Sequence, residues 1–374
     1  MSDPSPFMQE ALRLAASVRG RTSPNPWVGA VLVRDGVIIA RGATAPYGGP
    51  HAEAAALAAA ADAARGATLY CTLEPCVPFP GKRTPPCSDA IIAAGVRRVV
   101  VALLDPHVGG PGIERLRAAG IEVDIGDGAE AAAELLRPYL KWRQLGLPYV
   151  IAKFAVSLDG AVGAPAEGVT WLTGPAAVER VHRDRDRADA ILVGSGTILA
   201  DDPALTARPG GAPAERQPVR IVLDARGRTP PESRVFAPGG PVIVATAHGS
   251  PPAWRQALVG RGAALIELDR AEGRLELRQL LRALGQRNIQ SLIVEGGPTV
   301  LASFFEADLV DEVHAYVSPR ILGSAGIPLI PRGAAVPLLH LESVVIEPLP
   351  PDVLVRGYTG SWQPPLLPTL APET

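Results

Sequence analysis

Three cysteines in 374 residues are too few for a disulfide framework, and Cys71, Cys76 and Cys87 all fall within seventeen consecutive positions. Cross-links that hold a scaffold are spread along a chain. A cluster in a long chain points to metal binding or catalysis instead. Also missing is any apolar run of the roughly 18 residues that a membrane-spanning helix needs. The first residues, Met1-Ser2-Asp3-Pro4, lack the basic and then apolar stretch of a secretory signal, so a cytoplasmic protein with no membrane partner is expected. Charge of one sign is absent as well. With 36 Lys and Arg against 38 Asp and Glu, the net charge of −2 is not the electrostatic footprint of a nucleic-acid binder.

What is present is a globular balance, 47% apolar and 20% charged, over a length that predicts two domains. An apolar-periodic stretch from Phe7 to Val18 reads as a helix. Two strands around the Arg34-Asp35-Gly36 turn and the alanine-rich helix from His51 to Ala64 follow. Strands at 68–73, 99–104 and 121–124 alternate with helices at 88–94 and 112–119, which implies an α/β sandwich with part of its sheet parallel. A last helical turn, Gly146 and Pro148 mark a boundary. The expected division is 1–145, 146–360 with a second α/β domain on a larger sheet, and a proline-rich tail, 361–374, expected to be disordered. The stretch from Arg208 to Pro218 reads as a mobile loop.

Three short segments carry chemistry: Pro50-His51-Ala52-Glu53, Glu74-Pro75-Cys76 and Pro85-Pro86-Cys87. His51 and Cys87 both fall where a Gly/Pro or Pro-Pro turn meets a helix. The partial positive charge of a helix start favours a thiolate there. One imidazole and two thiolates leave the fourth position of a tetrahedral zinc ion open to water, the arrangement of a catalytic site. Glu53, two residues past His51, can reach that position without ligating the metal, as in the His-x-Glu pattern of zinc deaminases. His-Ala-Glu alone would be weak evidence in an alanine-rich helix; three ligand types in this order are strong. Cys71, mid-strand beside Tyr70, reads as a small buried hydrophobe.

With Asn25-Pro26-Trp27-Val28-Gly29 and Thr72-Leu73-Glu74-Pro75-Cys76, these segments resemble the cytidine-deaminase-like domain of the bifunctional riboflavin-biosynthesis deaminase/reductase family. The resemblance continues beyond Asp105-Pro106 through Lys153-Phe154-Ala155-Val156-Ser157-Leu158-Asp159-Gly160, Ala200-Asp201-Asp202-Pro203 and Val294-Glu295-Gly296-Gly297-Pro298-Thr299. The last of these is a strand, a glycine pair and a helix start. Exposed N–H groups at such a start bind phosphate, although a glycine pair there is commonly plain turn chemistry.

The resemblance implies an N-terminal cytidine-deaminase-like α/β/α sandwich and a C-terminal dihydrofolate-reductase-like α/β domain, with zinc and NADPH as cofactors. Zinc ligands would be His51, Cys76 and Cys87, with Glu53 catalytic. NADPH would contact Ala155, Trp171, Thr197, Asp201 and the helix start Gly297, Pro298, Thr299, Val300, Leu301, Ala302 and Ser303. Asn25, Lys82, Arg185, Leu205, Arg208 and Glu295 would contact a small-molecule pyrimidine ribosyl phosphate, the two reductase-half arginines clamping its phosphate. Arg185 lies in a run of alternating charge, where a solvated helix face is the plain alternative. A homo-oligomer is expected.

The chain departs from the family's pattern in three places. Ten residues without a histidine separate Cys76 from Cys87, Val169 stands where the family has a serine, and the stretch after Asp105-Pro106 is short. A paralogue acting on another aminopyrimidine therefore stays open. A nucleic-acid-editing deaminase fits the first domain alone, against the near-zero charge and the second domain.

Overall fold

A computed structural model describes residues 3–78, 85–107, 109–169, 171–271 and 273–364. The chain divides into two compact units, one running to Gly146 and one spanning Leu147–Trp362. Among the described residues no helix is long and apolar enough to cross a membrane.

The first unit opens with α1 (Pro6–Ser17), whose N-cap Ser5 hydroxyl accepts from the Met8 N–H at 3.3 Å. β1 (Gly29–Arg34) and β2 (Val37–Ala43) join through Asp35-Gly36, both at positive φ as a tight two-residue hairpin demands. There follow α2 (Ala52–Ala60), β3 (Thr68–Cys71), α3 (Cys87–Ala93), β4 (Arg98–Val101), α4 (Pro111–Ala118), β5 (Glu122–Ile125) and α5 (Ala129–Leu145). The sheet order is β2-β1-β3-β4-β5, antiparallel across β2, β1 and β3 and parallel from β3 to β5. Two glycines let the helices approach. A Cβ on Gly29 would lie 1.9 Å from the Ala11 carbonyl oxygen of α1, and one on Gly42 would lie 2.1 Å from that of Ala52 in α2. Gly42 pairs with Ala30, the neighbour of Gly29, so the two glycines face opposite sides and α1 and α2 cover opposite faces. The result is an α/β/α sandwich.

The second unit is built on nine strands in the order β10-β9-β8-β7-β13-β6-β14-β16-β15. β6 (Tyr149–Ser157) leads through α6 (Pro175–Arg187) to β7 (Ala190–Gly194), α7 (Ser195–Asp201), β8 (Val219–Leu223), β9 (Val242–Ala247), α8 (Pro252–Gly260) and β10 (Ala264–Leu268). A two-residue pair, β11 (Arg270–Ala271) and β12 (Arg274–Leu275), precedes α9 (Leu277–Gly285), β13 (Ser291–Val294), α10 (Pro298–Glu306) and β14 (Glu312–Ser318). A final hairpin, β15 (Glu342–Leu349) and β16 (Asp352–Tyr358), adds two antiparallel strands to an otherwise parallel sheet. This hairpin is absent from the expectation drawn from sequence.

Strand alternation decides the two cores. Val150, Ala152, Ala190, Leu192, Leu292 and Val294 pack with Leu280, Leu281 and Leu284 of α9 and Leu301 and Phe304 of α10. The alternate residues Ile191, Val193, Val222 and Val244 pack with Ile198 of α7 and Leu258 of α8. The stretch 208–218, read as mobile, is tied down. Gln217 accepts from the Ala207 N–H at 2.8 Å and donates to the Ala207 and Ala214 carbonyls at 2.9 and 3.1 Å. A single amide side chain replaces the missing strand pairing. Of the expected tail, Ser361 donates to the Val310 carbonyl at 2.7 Å and Trp362 meets Tyr149 edge-on at 6.1 Å. Both residues belong to the second unit, and residues 365–374 lie outside the described ones.

Candidate functional site

Helix starts assemble the first site. His51 is the N-cap of α2, Cys87 is the first residue of α3, and Cys76 follows β3 in a turn. His51 Nδ1 lies 3.5 Å from both Cys76 Sγ and Cys87 Sγ, and the three ligand atoms all fall within 4.8 Å of one another. The Cys87 N–H points at Cys76 Sγ, 3.4 Å away. Hydrogen bonding from the Cys87 thiol, then from His51 and that N–H, outweighs burial and holds the Cys76 thiol at about 3. Glu53, buried in the first turn of α2, is pushed up to about 7 by burial first and by the charge of Cys76 second. A carboxyl poised near neutrality can take a proton and give it back. The donor set of one imidazole and two thiolates fits a catalytic zinc ion.

Glu74, whose role sequence reasoning missed, braces this centre. Buried, it accepts from the N–H groups of Gly112 at 2.8 Å, Gly110 at 3.1 Å and Asp105 at 3.2 Å, and so pins the start of α4. A Cβ on Gly112 would come 2.3 Å from the Pro75 carbonyl oxygen, so only glycine allows this approach to the Cys76 turn. Asp105 in turn accepts from the Tyr139 hydroxyl at 3.0 Å.

The second constellation lies at the carboxyl ends of β6, β7 and β13, where chain order and strand order part: β13 is inserted between strands that precede it by a hundred residues or more. Such switch points are where parallel α/β sheets bind ligands. The turns after β7 and β13 interlock. A Cβ on Gly296 would lie 2.7 Å from Val193 Cα, one on Gly194 would lie 2.7 Å from Val300 Cγ2, and one on Gly297, at φ 65°, would lie 3.2 Å from Thr197 Oγ1. Backbone N–H groups of two helix starts thus stand side by side, a cradle suited to a phosphate-bearing cofactor.

Beside them Arg185 grips Glu295 in a two-point pair, Nε to Oε1 at 2.6 Å and Nη2 to Oε2 at 2.7 Å, and also donates to the Thr206 carbonyl at 3.1 Å. Lys153 Nζ lies 3.7 Å from the same Glu295 carboxylate. Burial opposes a charged Glu295, but Arg185 and then Lys153 outweigh it and hold the carboxyl at about 2. Burial lowers Lys153 as well, Glu295 opposing it. A neighbouring cavity of about 570 Å³ is lined by Trp171, Thr173, Pro175, Val178, Glu179, His182, Arg208 and Gly211. His182 Nδ1 accepts from the Arg208 N–H at 3.2 Å.

Known proteins match both units of the chain. Residues 1–103 match the family model of the cytidine and deoxycytidylate deaminase zinc-binding region, and residues 148–355 match that of the RibD C-terminal domain. The riboflavin biosynthesis protein RibD of Aquifex aeolicus is 41% identical over 320 residues, covering 85% of this chain and 87% of its own. The chain belongs to the bifunctional deaminase/reductase family of riboflavin biosynthesis. The Escherichia coli member is 40% identical over 330 residues, 85% of this chain and 88% of its own. Among solved structures, RibD of Acinetobacter baumannii superposes with a TM-score of 0.84 at 35% identity, covering 94% of this chain and 97% of that one. A structure from Thermotoga maritima, described as a diaminohydroxyphosphoribosylaminopyrimidine deaminase/5-amino-6-(5-phosphoribosylamino)uracil reductase, gives 0.80 at 35% identity, with the same coverage.

The deaminase/reductase family takes zinc in its first domain and NADPH in its second, the fold and cofactors anticipated from sequence. Of the residues singled out beforehand, His51, Cys76, Cys87 and Glu53 come together, as do Arg185 with Glu295, Arg208 with Trp171, and Thr197 with Gly297. Leu205 is buried at a positive φ of 53°, a strained position for a bulky residue. Asp201 closes α7, and Ala155 pairs with Tyr316 across β6 and β14. Within α10 Leu301 and Ala302 turn toward the core, and the Ser303 hydroxyl donates to the Thr299 carbonyl at 2.9 Å. Asn25 closes a turn with Thr22, donating its N–H to the Thr22 carbonyl at 2.9 Å, apart from any contact described for the metal cluster. Lys82 lies outside the described residues. Lys153 was missed as a site residue, since its partner Glu295 is 142 positions away.

Proposed function

We propose that the chain carries out two consecutive steps on one pyrimidine ribosyl phosphate. The first is hydrolytic deamination of 2,5-diamino-6-(5-phosphoribosylamino)pyrimidin-4-one in a zinc-dependent domain, 1–145. The second is reduction of the product's ribosyl group to a ribityl chain in an NADPH-dependent domain, 146–360. What supports this above all is the buried, near-neutral Glu53 beside a His51, Cys76 and Cys87 cluster on the same chain as the Arg185, Glu295 and Lys153 group.

A zinc ion held by His51 Nδ1, Cys76 Sγ and Cys87 Sγ supplies an electrophile that makes water acidic near neutral pH. Glu53 takes one proton of the attacking water and passes it to the ring nitrogen, then takes the second from the hydroxyl so formed and passes it to the amino group, which leaves as ammonia; its value of about 7 suits both directions. In the second domain NADPH supplies hydride, and the N–H groups after Gly296-Gly297 hold it with Ala155, Trp171, Thr197 and Asp201. Arg208 and Arg185 hold the substrate phosphate and its neighbouring oxygens, while Asn25 and Lys82 serve the deamination substrate. Lys153, acidified by burial, donates the proton that accompanies hydride, and Glu295 orients the sugar.

Ammonia release and NADPH oxidation by the purified, zinc-loaded protein with this substrate test both halves. Neither signal appearing sinks the assignment. The interval between Cys76 and Cys87 and Val169 favour a second reading, a different aminopyrimidine as substrate; failure to restore growth of a riboflavin auxotroph, with ammonia released from another pyrimidine, selects it. We further propose a cytoplasmic homo-oligomer with no nucleic-acid or membrane partner. The near-neutral charge supports this, as does the uncovered edge strand β15, where Val344, Val345 and Ile346 are 49%, 48% and 66% exposed.

A further inference from the structure

Lys153 pairs with the Glu295 carboxylate and faces an aromatic ring. Glu295 Oε2, 3.7 Å from Nζ, already receives Arg185 at 2.7 Å, so this shared oxygen cannot fix the ammonium alone. The other wall is Tyr316, whose ring centroid lies 5.6 Å from Nζ. Strand register sets the meeting: Lys153 stands opposite His314 and Ala155 opposite Tyr316 in the parallel pair β6 and β14.

Tyr316 is itself held. Fully buried, it donates its hydroxyl to Asp184 Oδ2 at 3.1 Å. Asp184 is gripped from two more sides, by Arg180 Nε at 3.0 Å on Oδ1 and by His314 Nδ1 at 3.5 Å from Oδ2. The other nitrogen of His314 lies 2.8 Å from Glu312 Oε1, and Arg180 also meets Glu347. Burying an aspartate, a histidine and a tyrosine is costly unless each is paired. Here the pairing runs from β14 through α6 and ends on the ring that faces Lys153. Asp184 is also the chain neighbour of Arg185, so the grip on Asp184 fixes the rotation of α6 that delivers Arg185 to Glu295.

We propose that Tyr316 is a positioning residue for the reduction: seated on Asp184 and braced by His314, it holds the Lys153 ammonium over its ring and against Glu295. That role presupposes that Lys153 and Glu295 work in the reductase site, and the variants below separate the two ideas. The charged and titratable groups facing Lys153 are Glu295 at the end of β13, Arg185 and Asp184 on α6, and His314 and Tyr316 on β14. An aromatic face favours the ammonium over the free amine. Removing the ring therefore lowers the pH at which Lys153 gives up its proton.

The test uses the full-length, zinc-loaded enzyme and its Tyr316→Phe, Tyr316→Leu and Lys153→Met variants. NADPH oxidation is followed with the deaminated pyrimidine as substrate across pH, and NADPH binding by fluorescence reports that the domain is folded. Tyr316→Phe keeps the ring and loses its anchor, so kcat falls several-fold while the alkaline limb of the pH profile stays in place. Tyr316→Leu lowers kcat by about a hundredfold and moves that limb down by about one pH unit, with KM for the pyrimidine little changed. Wild-type kcat and limb in a Leu variant that binds NADPH overturn the role. If the Leu variant loses NADPH binding, the Phe variant decides, and an unchanged kcat there overturns it. Lys153→Met is expected to lack reduction; reduction at the wild-type rate instead removes the site assignment itself, whatever Tyr316 does.

Discussion

Burial and the charge of Cys76 raise Glu53 to about 7, whereas hydrogen bonds hold Cys76 at about 3. Glu53→Gln keeps the shape of the carboxyl and removes its proton traffic. Ammonia release is expected to fall by about 10²–10⁴ with zinc content, read by elemental analysis, unchanged. Loss of zinc in this variant would instead make Glu53 part of the metal's support. In the second unit Glu295 is depressed to about 2, so it contributes stability that is present above its unfolded value of about 4.3 and is lost as pH falls toward 2. Glu295→Gln is therefore expected to flatten the acid dependence of amide exchange in β6 and β13 across that window. An unchanged slope would place the acid sensitivity elsewhere. These residues differ in how far sequence exposes them. His51, Cys76 and Cys87 were legible because each sits at a turn marked by proline or glycine. Lys153, Asp184, His314 and Tyr316 were not, because what joins them is strand register and the rotation of α6.

At the scale of elements, close backbone approach does much of the positioning. Gly296→Ala must displace Val193 backbone at the crossing of β13 and β7. A cost of about 1–3 kcal/mol is expected, with a raised KM for NADPH and a lowered melting temperature of the second unit, while ammonia release persists. Gly112→Ala presses on Pro75 beside the Cys76 turn, and is expected to weaken zinc retention against a chelator more than it lowers stability. Regular elements read well from sequence where periodicity and turn residues agreed, as at α1, β1, β2, α3 and α4. α5 showed only its last turn, because Pro138 inside the helix reads as a break. The hairpin β15 and β16 was missed because its exposed edge strand lacks the alternation that marks a half-buried one.

For the molecule as a whole, two sites in two separately packed units should fail separately. Glu53→Gln is expected to reduce the supplied deaminated pyrimidine at the wild-type rate, and Lys153→Met to release ammonia at the wild-type rate. The uncovered β15 edge bears on assembly. Val345→Lys places charge on it and is expected to lower the mass measured by light scattering if that edge joins copies; an unchanged oligomer moves the interface elsewhere. The insertion of β13 between β6 and β7 also sets an order in time. During synthesis the first unit has its whole sheet by Ile125 and its last helix by Leu145, whereas the central strand of the second sheet begins only at Ser291. Until then β6 and β7 have no neighbour to share, and the reductase pocket waits for nearly the full chain. Contacts that span so much sequence form slowly. A zinc-competent deaminase unit is thus expected on the ribosome before any reductase exists, and chaperones would meet the second unit with its middle strand missing.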